Sequence, residues 1–583
     1  MASYQMIDNK IILQLRENVC ATEAEVLDSD LFKGVVTAAF HKLVKRNSIL
    51  LDVFGKRTVG ADEIKVFIET LKALVKMPAA QARCSSDGAE VLLRNPLLLN
   101  DLIEYLYNFW RSFDRFIITD QKLSQDQDTK PYRTFNLTIG HLTNLVRGMY
   151  RDIQENVTGQ HPRIYRQVAA GGEVSTIAVK YGVPLPAEYA ELNKVPMIRQ
   201  ILLYPPLILQ PPMNKRTGRI EPVLESPLKG LTFNPQEWLC YPAKVGELVI
   251  LVYFHNAFTE LGHSLANLFE MASDEDLKRK PDAVYAYGVA EEALARFNQG
   301  QVFFDDRKND LLAAAIPLKP EYGYFGYVKK MILTLHNVIM MKRGRLPFHG
   351  AMVRIILKGD IDRNILFIGD TGAGKSETLE ALRGLGEDVI QDLIIIADDM
   401  GSINLGFNGD ILGYGTEIGA FLRLDDLQPG YALGQIDRAI IMSANQVNAR
   451  IIIPVTTFDN VVKGHKVDFV LYANNYDGID DDHPIIERFK SADQAMSVFR
   501  EGTAMSKGTT TTTGLVHSYY ANVFGPAQFR ELHEPLARRY FEAFFSRNVF
   551  VGQMRSRLGL AGWEQKGPQE AARELLRVIQ SNG

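Results

Sequence analysis

From the first residues to about 170, apolar side chains recur at three- and four-residue steps, the period of a helix with one buried face. DSDLFKGVVTAAFHKLVKRN and NPLLLNDLIEYLYNFWRSF carry the pattern most clearly, each behind an Asp or Asn suited to cap the first turn. The reading predicts an α-helical N-terminal domain over 1–170. Near 195 the texture changes: QILLYPPLILQPPMNKRTGRIEP holds too much proline to continue a helix, so a boundary is placed there. Short β-branched runs follow, with helices predicted in HNAFTELGHSLANLFEMAS and VAEEALARFNQ, which makes 195–320 an α/β lobe. GQVFFDD returns to strand, and FGYVKKMILTLHNVIMMKRG has helical period. Strands then dominate a third domain, 321–583, in MVRIIL, NILFI, LIIIAD, RAIIMS, ARIIIPV and VDFVLYA, before a helical tail at PAQFRELHEPLARRYFEAFFSRN. No internal repeat is visible, and five threonines at 509–513 form the one low-complexity run.

Composition narrows the class. A chain of 583 residues exceeds one ordinary core, which agrees with several domains. A formal charge of −4 argues against broad electrostatic binding to nucleic acid or an anionic membrane. No apolar run reaches the length of a membrane span; GELVILVYF at 246–254 reads as a buried strand. The start shows neither a basic n-region nor a long apolar h-region, so no signal peptide is expected. Cys20, Cys84 and Cys240 are widely spaced, neither a disulfide framework nor a zinc site, and a cytoplasmic setting is expected. The Asn136 and Asn156 sequons then carry no meaning.

The chemistry concentrates in LFIGDTGAGKSETLEAL, residues 366–382. A strand, a G-x-x-x-x-G-K-S loop and a helix start form the context that makes this spacing a phosphate cradle. Gly369, Asp370, Thr371, Gly372, Ala373, Gly374, Lys375, Ser376 and Glu377 are the expected nucleotide-binding positions. Backbone N–H groups at the helix start would wrap the phosphates and Lys375 would neutralise their charge. The Ser376 hydroxyl would ligate the nucleotide's Mg²⁺. LIIIADD then ends a strand on Asp398 and Asp399, 23 and 24 residues past Lys375, a pair suited to metal binding and proton management. A capping pair before the turn at MGS is the structural alternative.

Two families share such a loop with a histidine upstream and an Asp-Asp downstream. HGAMV, GDTGAGKSETLEAL and IADD resemble the signature blocks of HPr kinase/phosphorylase, Glu377 included. The resemblance to phosphoenolpyruvate carboxykinase extends further. YFGYVKK (324–330) is similar to its Y-x-G-E-M-K-K block, and His349 lies nineteen residues after Lys330, as in that family. NARIIIPVTTFDNVV resembles its N-T-R-x-x-Y-P segment. KVDFVLYANNYDG, SADQAMSVFREGTAMSKGT and ANVFGPAQF follow in the family's order, and TGR at 217–219 is a more distant match. The resemblance implies a carboxykinase-like P-loop core on a mixed sheet. It implies that Lys330, His349 and Asp399 hold Mn²⁺, with Lys329 as the neighbouring cation that keeps Lys330 neutral. Arg450 would stabilise the moving phosphoryl group, Arg219 would clamp a substrate carboxylate, and Tyr324 would line the pocket. The implied catalytic set is thus Lys330, His349, Lys375, Asp398, Asp399 and Arg450, with ATP, Mg²⁺ and Mn²⁺ as cofactors and oxaloacetate or phosphoenolpyruvate as substrate.

The chain departs from the family where its G-T-E-R-G reads GTTTTTG, without the base-contacting arginine. LRGLGEDVIQDL lengthens the connection to the Asp pair, and the P-loop lacks the cysteine of the GTP-dependent class, which leans the resemblance to the ATP type. After Arg219 the chain runs I-E-P-V-L instead of S-P-K-D-K. The first 170 residues match neither family; a regulatory, self-associating or partner-binding role is the expectation. YDGIDDDH (476–483) reads as a solvated turn. Two other functions fit the same residues: an HPr-type kinase of a protein hydroxyl or small metabolite with Asp398 as base, and a nucleotide-sensing regulator with little catalysis.

Overall fold

In a computed structural model the chain divides into two compact units, residues 1–180 with 198–204, and residues 181–197 with 205–583. The structure describes all residues except 1–2, 16–19, 86, 121–130, 162–169, 299, 360, 371, 386–388, 407, 425–435, 508–512 and 582–583. It is a mixed α/β protein.

The N-terminal unit is not all helix. Strands β1 (Ser3–Ile7), β2 (Lys10–Leu15), β3 (Asp114–Asp120), β4 (Val174–Val179) and β5 (Met197–Leu203) lie side by side in that order. Helices α1 (Glu23–Asp28), α2 (Asp30–Lys45), α3 (Ala61–Leu74), α4 (Pro96–Arg111) and α5 (Pro131–Thr158) fill the rest. The strands escaped the sequence reading because KIILQL and RFIITD are short continuous apolar runs, which periodicity does not separate from a buried helix segment. The two helices are where the pattern predicts them, but the cap of α2 is Ser29 instead of the expected Asp. Ser29 Oγ accepts from Phe32 N at the start of α2, and Asn95 Oδ1 from Leu98 N ahead of Pro96 in α4. Their apolar faces, with Val36, Phe40, Leu99 and Leu106, close one core with Ile11 and Ile117 of the sheet.

Apart from residues 198–204, the lobe and the catalytic domain foreseen at 195–320 and 321–583 fall within one unit. Its first sheet runs β6 (Trp238–Val245), β7 (Leu248–His255), β8 (Ala283–Val289), β10 (Leu311–Pro317), β9 (Val302–Asp306), then Glu221–Val223. The helices predicted around it shrink to Thr259–Ser264 and Glu291–Leu294. HNAFTELGHSLANLFE instead breaks into short helical turns that are mostly buried, with Glu270 exposed at their end.

Helix α6 (Phe325–Lys342) is enclosed almost along its whole length, with Val328, Met331, Ile332, Leu335 and Val338 buried. Each such side chain contributes roughly 1.5–3 kcal/mol of burial, and apolar residues all round are what an enclosed helix needs. The second sheet contains β11 (Leu346–Leu357), β12 (Ile361–Ile368), β13 (Ile390–Leu405), β14 (Ile411–Gly415), β18 (Phe469–Asn474) and β19 (Phe550–Arg555), in the order β14-β13-β11-β12-β18-β19, with α7 (Lys375–Gly384) leaving the end of β12. A smaller sheet holds β15 (Gly419–Arg423), β16 (Ile440–Met442) and β17 (Arg450–Pro454). Register sets the site: Gly350 of β11 pairs with Ile368 of β12 on one side and with Asp399 of β13 on the other. Among the described residues no helix is long and apolar enough to cross a membrane.

Candidate functional site

The glycine-rich loop leaves β12 at Gly369, whose N–H donates to the His349 carbonyl (3.1 Å). Gly374 (φ +99°) has Ser556 Oγ 2.9 Å from where a Cβ would sit, so both backbone angle and space favour glycine. Asn475 Nδ2 donates to the Gly372 carbonyl (3.0 Å), and Ser518 Oγ to Asp370 Oδ2 (3.1 Å). Lys375 is buried, with Nζ donating to the carbonyls of Gly369 (2.5 Å) and Asp370 (3.1 Å). Burial pulls its pKa below the ordinary lysine value, against the pull of Asp399 and Asp370. Glu377 follows in the first turn of α7. Thr371 and the side chain of Ser376 lie outside the described residues.

Around that loop, the two adjacent lysines of α6 diverge by about 100° about the helix axis. Lys329 Nζ sits 2.6 Å from Asp399 Oδ2 and 3.3 Å from Glu417 Oε1. Burial opposes its charge, but Asp399 and Glu417 outweigh burial and raise its pKa. One ammonium neutralises one carboxylate, and Asp399 takes that share: burial disfavours its ionised form, yet Lys329 and His349 hold it well below the usual carboxylate range. Glu417, fully buried, is pushed up to about 8 by burial, with Lys329 opposing and Asp399 and Asp398 reinforcing. It therefore keeps its proton at neutral pH.

Lys330 points elsewhere. Its Nζ lies 4.1 Å from the centroid of the Phe524 ring, and its pKa is pushed down to about 7, first by burial and then by Arg216. The expected cation, Lys329, does not have this role, because its charge is taken up by carboxyl groups. Arg219, the expected clamp, is solvent-exposed. Arg216, three positions earlier, is the arginine whose field reaches both Lys330 and Tyr324. It donates to Gln301 Oε1 (2.9 Å) and the Gly218 carbonyl (2.9 Å).

His349 is 1% exposed and both ring nitrogens face acceptors: Nδ1 the Ala521 carbonyl at 2.5 Å, Nε2 Asp399 Oδ1 at 2.9 Å. A neutral imidazole has one N–H, so this arrangement calls for an imidazolium or for a cation shared by Nε2 and the carboxylate. The Ala521 carbonyl is presented by strained backbone, with Tyr520, Ala521 and Asn522 all in the left-handed region (φ +45°, +55°, +60°); such strain collects at working sites. Asp399 is itself at φ +99°, and Asp398 pairs with Ala351 one register step away. Among the described residues no group of three or more His, Cys, Asp or Glu forms a metal cage by itself; the donor set here would be His349, Asp399 and a neutral Lys330.

Arg450 opens β17 opposite Arg423 of β15, its guanidinium 5.4 Å from the Phe421 ring and its Nε buried without a hydrogen-bond partner. Tyr324 is buried at the head of α6, raised in pKa by burial against the nearby charges of Arg450, Lys329 and Arg216.

The structure thus gathers Lys329, Lys330, His349, Asp370, Lys375, Asp399, Tyr324 and Arg450, and leaves Arg219 out. Glu417, Arg216, Phe524 and the Ala521 carbonyl were not foreseen. Phe524 and Ala521 do lie in ANVFGPAQF, a segment singled out as a block; Glu417 in YGTEIG had no signal beyond a lone acid. Comparison with protein-family models and with curated proteins returns no match for the chain.

Proposed function

We propose that the protein catalyses nucleotide-dependent phosphoryl transfer to a small anionic acceptor, with the interconversion of oxaloacetate and phosphoenolpyruvate as the reading the residues favour. The observation that carries it is the Gly350 register, which sets the end of the loop strand and Asp399 on either side of one residue. Phosphoryl transfer needs positioning and charge neutralisation more than covalent chemistry, and this cluster is rich in both.

Lys375 and the backbone N–H groups opening α7 would bind the terminal phosphates of ATP. Arg450, with an unspent buried Nε, would follow the charge of the phosphoryl group as it moves. Arg216 takes over the role first given to Arg219, pairing an acceptor carboxylate. Lys330, with its pKa near 7, can hold or release a proton at Nζ at neutral pH. Lys329 keeps Asp399 ionised and oriented, and the Ala521 carbonyl fixes the His349 ring. The donor set fits a divalent ion, since a histidine facing two acceptors, a carboxylate and a depressed lysine share one corner. His349, Asp399 and Lys330 would hold Mn²⁺, which supplies Lewis-acid charge stabilisation when bound; Mg²⁺ would accompany the nucleotide. Enclosure of Lys329, Lys375 and His349 limits water, which guards against hydrolysis in place of transfer.

The test is turnover. Purified protein with Mn²⁺, ADP, bicarbonate and phosphoenolpyruvate is expected to yield oxaloacetate, followed with a coupled dehydrogenase. No oxaloacetate, with metal binding intact, sinks the carboxykinase chemistry. Label transfer from γ-labelled ATP to a protein hydroxyl or small metabolite then identifies a kinase, and nucleotide binding without either leaves a sensor.

A further inference from the structure

Residues 518–524 reach three parts of the proposed site within one short stretch. Ser518 Oγ donates to Asp370 Oδ2 of the phosphate loop (3.1 Å), its one proton shared with the Gly502 carbonyl (3.3 Å). The Ser518 carbonyl accepts from Ala521 N (3.0 Å), which closes the turn that presents the Ala521 carbonyl to His349 Nδ1. Phe524 then lays its ring 4.1 Å from Lys330 Nζ and 5.7 Å from the His349 ring. Ser518 thus holds the loop with its side chain and the turn with its backbone. Asp370 Oδ1 itself stands 3.8 Å from His349 Nδ1, so the two parts that Ser518 joins are neighbours.

The stretch is fixed from behind. Ser518 N donates to the carbonyls of Glu501 and Gly502 at the end of helix α8 (Ala492–Glu501). A Cβ at Gly502 would stand 1.7 Å from the Ser518 carbonyl oxygen, so backbone rests on backbone there. Tyr519 Oη donates to Glu534 Oε1 (3.0 Å) and lies 2.9 Å from His533 Nδ1, both on helix α9 (Arg530–Ser546). Arg500 of α8 holds Glu534 in turn, Nη2 to Oε2 at 2.6 Å. Three successive left-handed residues persist only where their surroundings over-determine them, and these anchors supply that constraint.

We propose that Ser518 is a positioning residue that sets the distance between the phosphate cradle and the His349 corner, and so between phosphoryl donor and acceptor. It acts through Asp370 on one side and through the Ala521 carbonyl on the other. Misplacing reacting groups by about 1 Å costs on the order of 10²-fold in rate. Loss of a partner that orients a metal-binding histidine costs about 10–100-fold in affinity or activity. The catalytic half of the inference rests on the phosphoryl-transfer reading; the His349 half is measured without turnover.

Mn²⁺ titration of the full chain, followed by the electron paramagnetic resonance of the free ion, tests the His349 half. Ser518→Ala should bind Mn²⁺ about tenfold more weakly. Ser518→Thr keeps the hydroxyl, and the extended backbone at 518 (φ −144°, ψ 126°) suits a β-branched side chain, so it should match wild type. In turnover, Ser518→Ala should lose about tenfold or more in kcat, with the KM for ADP and phosphoenolpyruvate changed by less than about threefold. Ser518→Thr should restore that kcat. A serine with only a structural role would lower the melting temperature and leave both readouts alone. Tyr519→Phe loosens the same turn and keeps the Ser518 hydroxyl; it should also weaken Mn²⁺, and where Ser518→Ala does not fold, unchanged affinity in Tyr519→Phe overturns the proposal. Wild-type affinity and kcat in a folded Ser518→Ala, or a Ser518→Thr as impaired as Ser518→Ala, overturns it too. Wild-type protein that binds Mn²⁺ without making oxaloacetate sinks the carboxykinase reading alone, and Mn²⁺ affinity in the variants still decides for Ser518. Wild-type protein that binds no Mn²⁺ overturns both.

Discussion

Lys329 bridges two buried acids, and its removal should cost more than an ion pair normally gives. Lys329→Met leaves the ionised Asp399 carboxylate without its ammonium partner, a change of about 3–5 kcal/mol for a broken, largely buried pair. Lys329→Met with Asp399→Asn should recover part of that loss, because the carboxylate left without its ammonium is then neutral at every pH. Urea unfolding of the two variants measures the difference, and equal midpoints would reject the bridge. Lys375→Met keeps the aliphatic stem and removes the charge. It should lower turnover by about 10²–10³-fold, as loss of one preorganised donor does, with the unfolding midpoint little changed; a variant that turns over normally removes Lys375 from the mechanism. At this scale the sequence was most readable where spacing mattered and least where direction mattered. Lys375 was legible from the spacing of its loop, and Lys330 and His349 only through the resemblance of their blocks and interval to those of a family. Whether Arg216 or Arg219 faces inward depends on the path of a loop, which no interval encodes, and Glu417 reaches Lys329 only through the folded sheet.

The element that governs the site is the edge-to-edge pairing of β11 with β12 and β13. A Cβ at Gly350 would stand 2.1 Å from the Phe367 carbonyl oxygen, so any side chain there displaces the strand carrying the loop. Gly350→Ala should therefore destabilise by about 2–4 kcal/mol and depress turnover more than binding of the nucleotide. Thermal melts and a KM-against-kcat comparison check this, and a wild-type kcat in a stably folded variant would refute it. The six strands read from the C-terminal half are all present because their β-branched runs are buried on both faces, the case in which apolar runs bounded by turns are informative. The strands of the N-terminal unit have the same character, but stand among strongly periodic helices that dominated the reading. Enclosed α6 was recognised from period and length, although burial on every side leaves it little amphipathic contrast.

For the whole molecule, acid should be more harmful than mild base. His263, His336 and His533 are buried and pushed down to about 4, chiefly by burial. Their folded pKa values lie below the unfolded value near 6.5, so the unfolded chain binds more protons between those limits. The stability they leave intact is complete above about pH 6.5 and drains away as pH falls towards 4, by up to about 3 kcal/mol for each histidine. Glu417, raised to about 8, works in the opposite sense above its unfolded value, but three groups outnumber one. Urea midpoints should drop between pH 7 and 5, and His533→Gln should flatten that drop; a profile unchanged by the substitution excludes His533 as a contributor.

The N-terminal unit is also discontinuous, closing its sheet with residues 198–204 after the chain has left at 180. During synthesis its first four strands emerge well before the fifth. At ~5–20 residues per second, the 24 residues from 181 to 204 delay completion by on the order of one to five seconds. Through that interval the outer edge of β4 stands open, a template for another nascent chain. The order of translation therefore gives this protein a period of exposure on polysomes that a contiguous domain of equal size does not have, and a gene cut at residue 180 makes that exposure permanent.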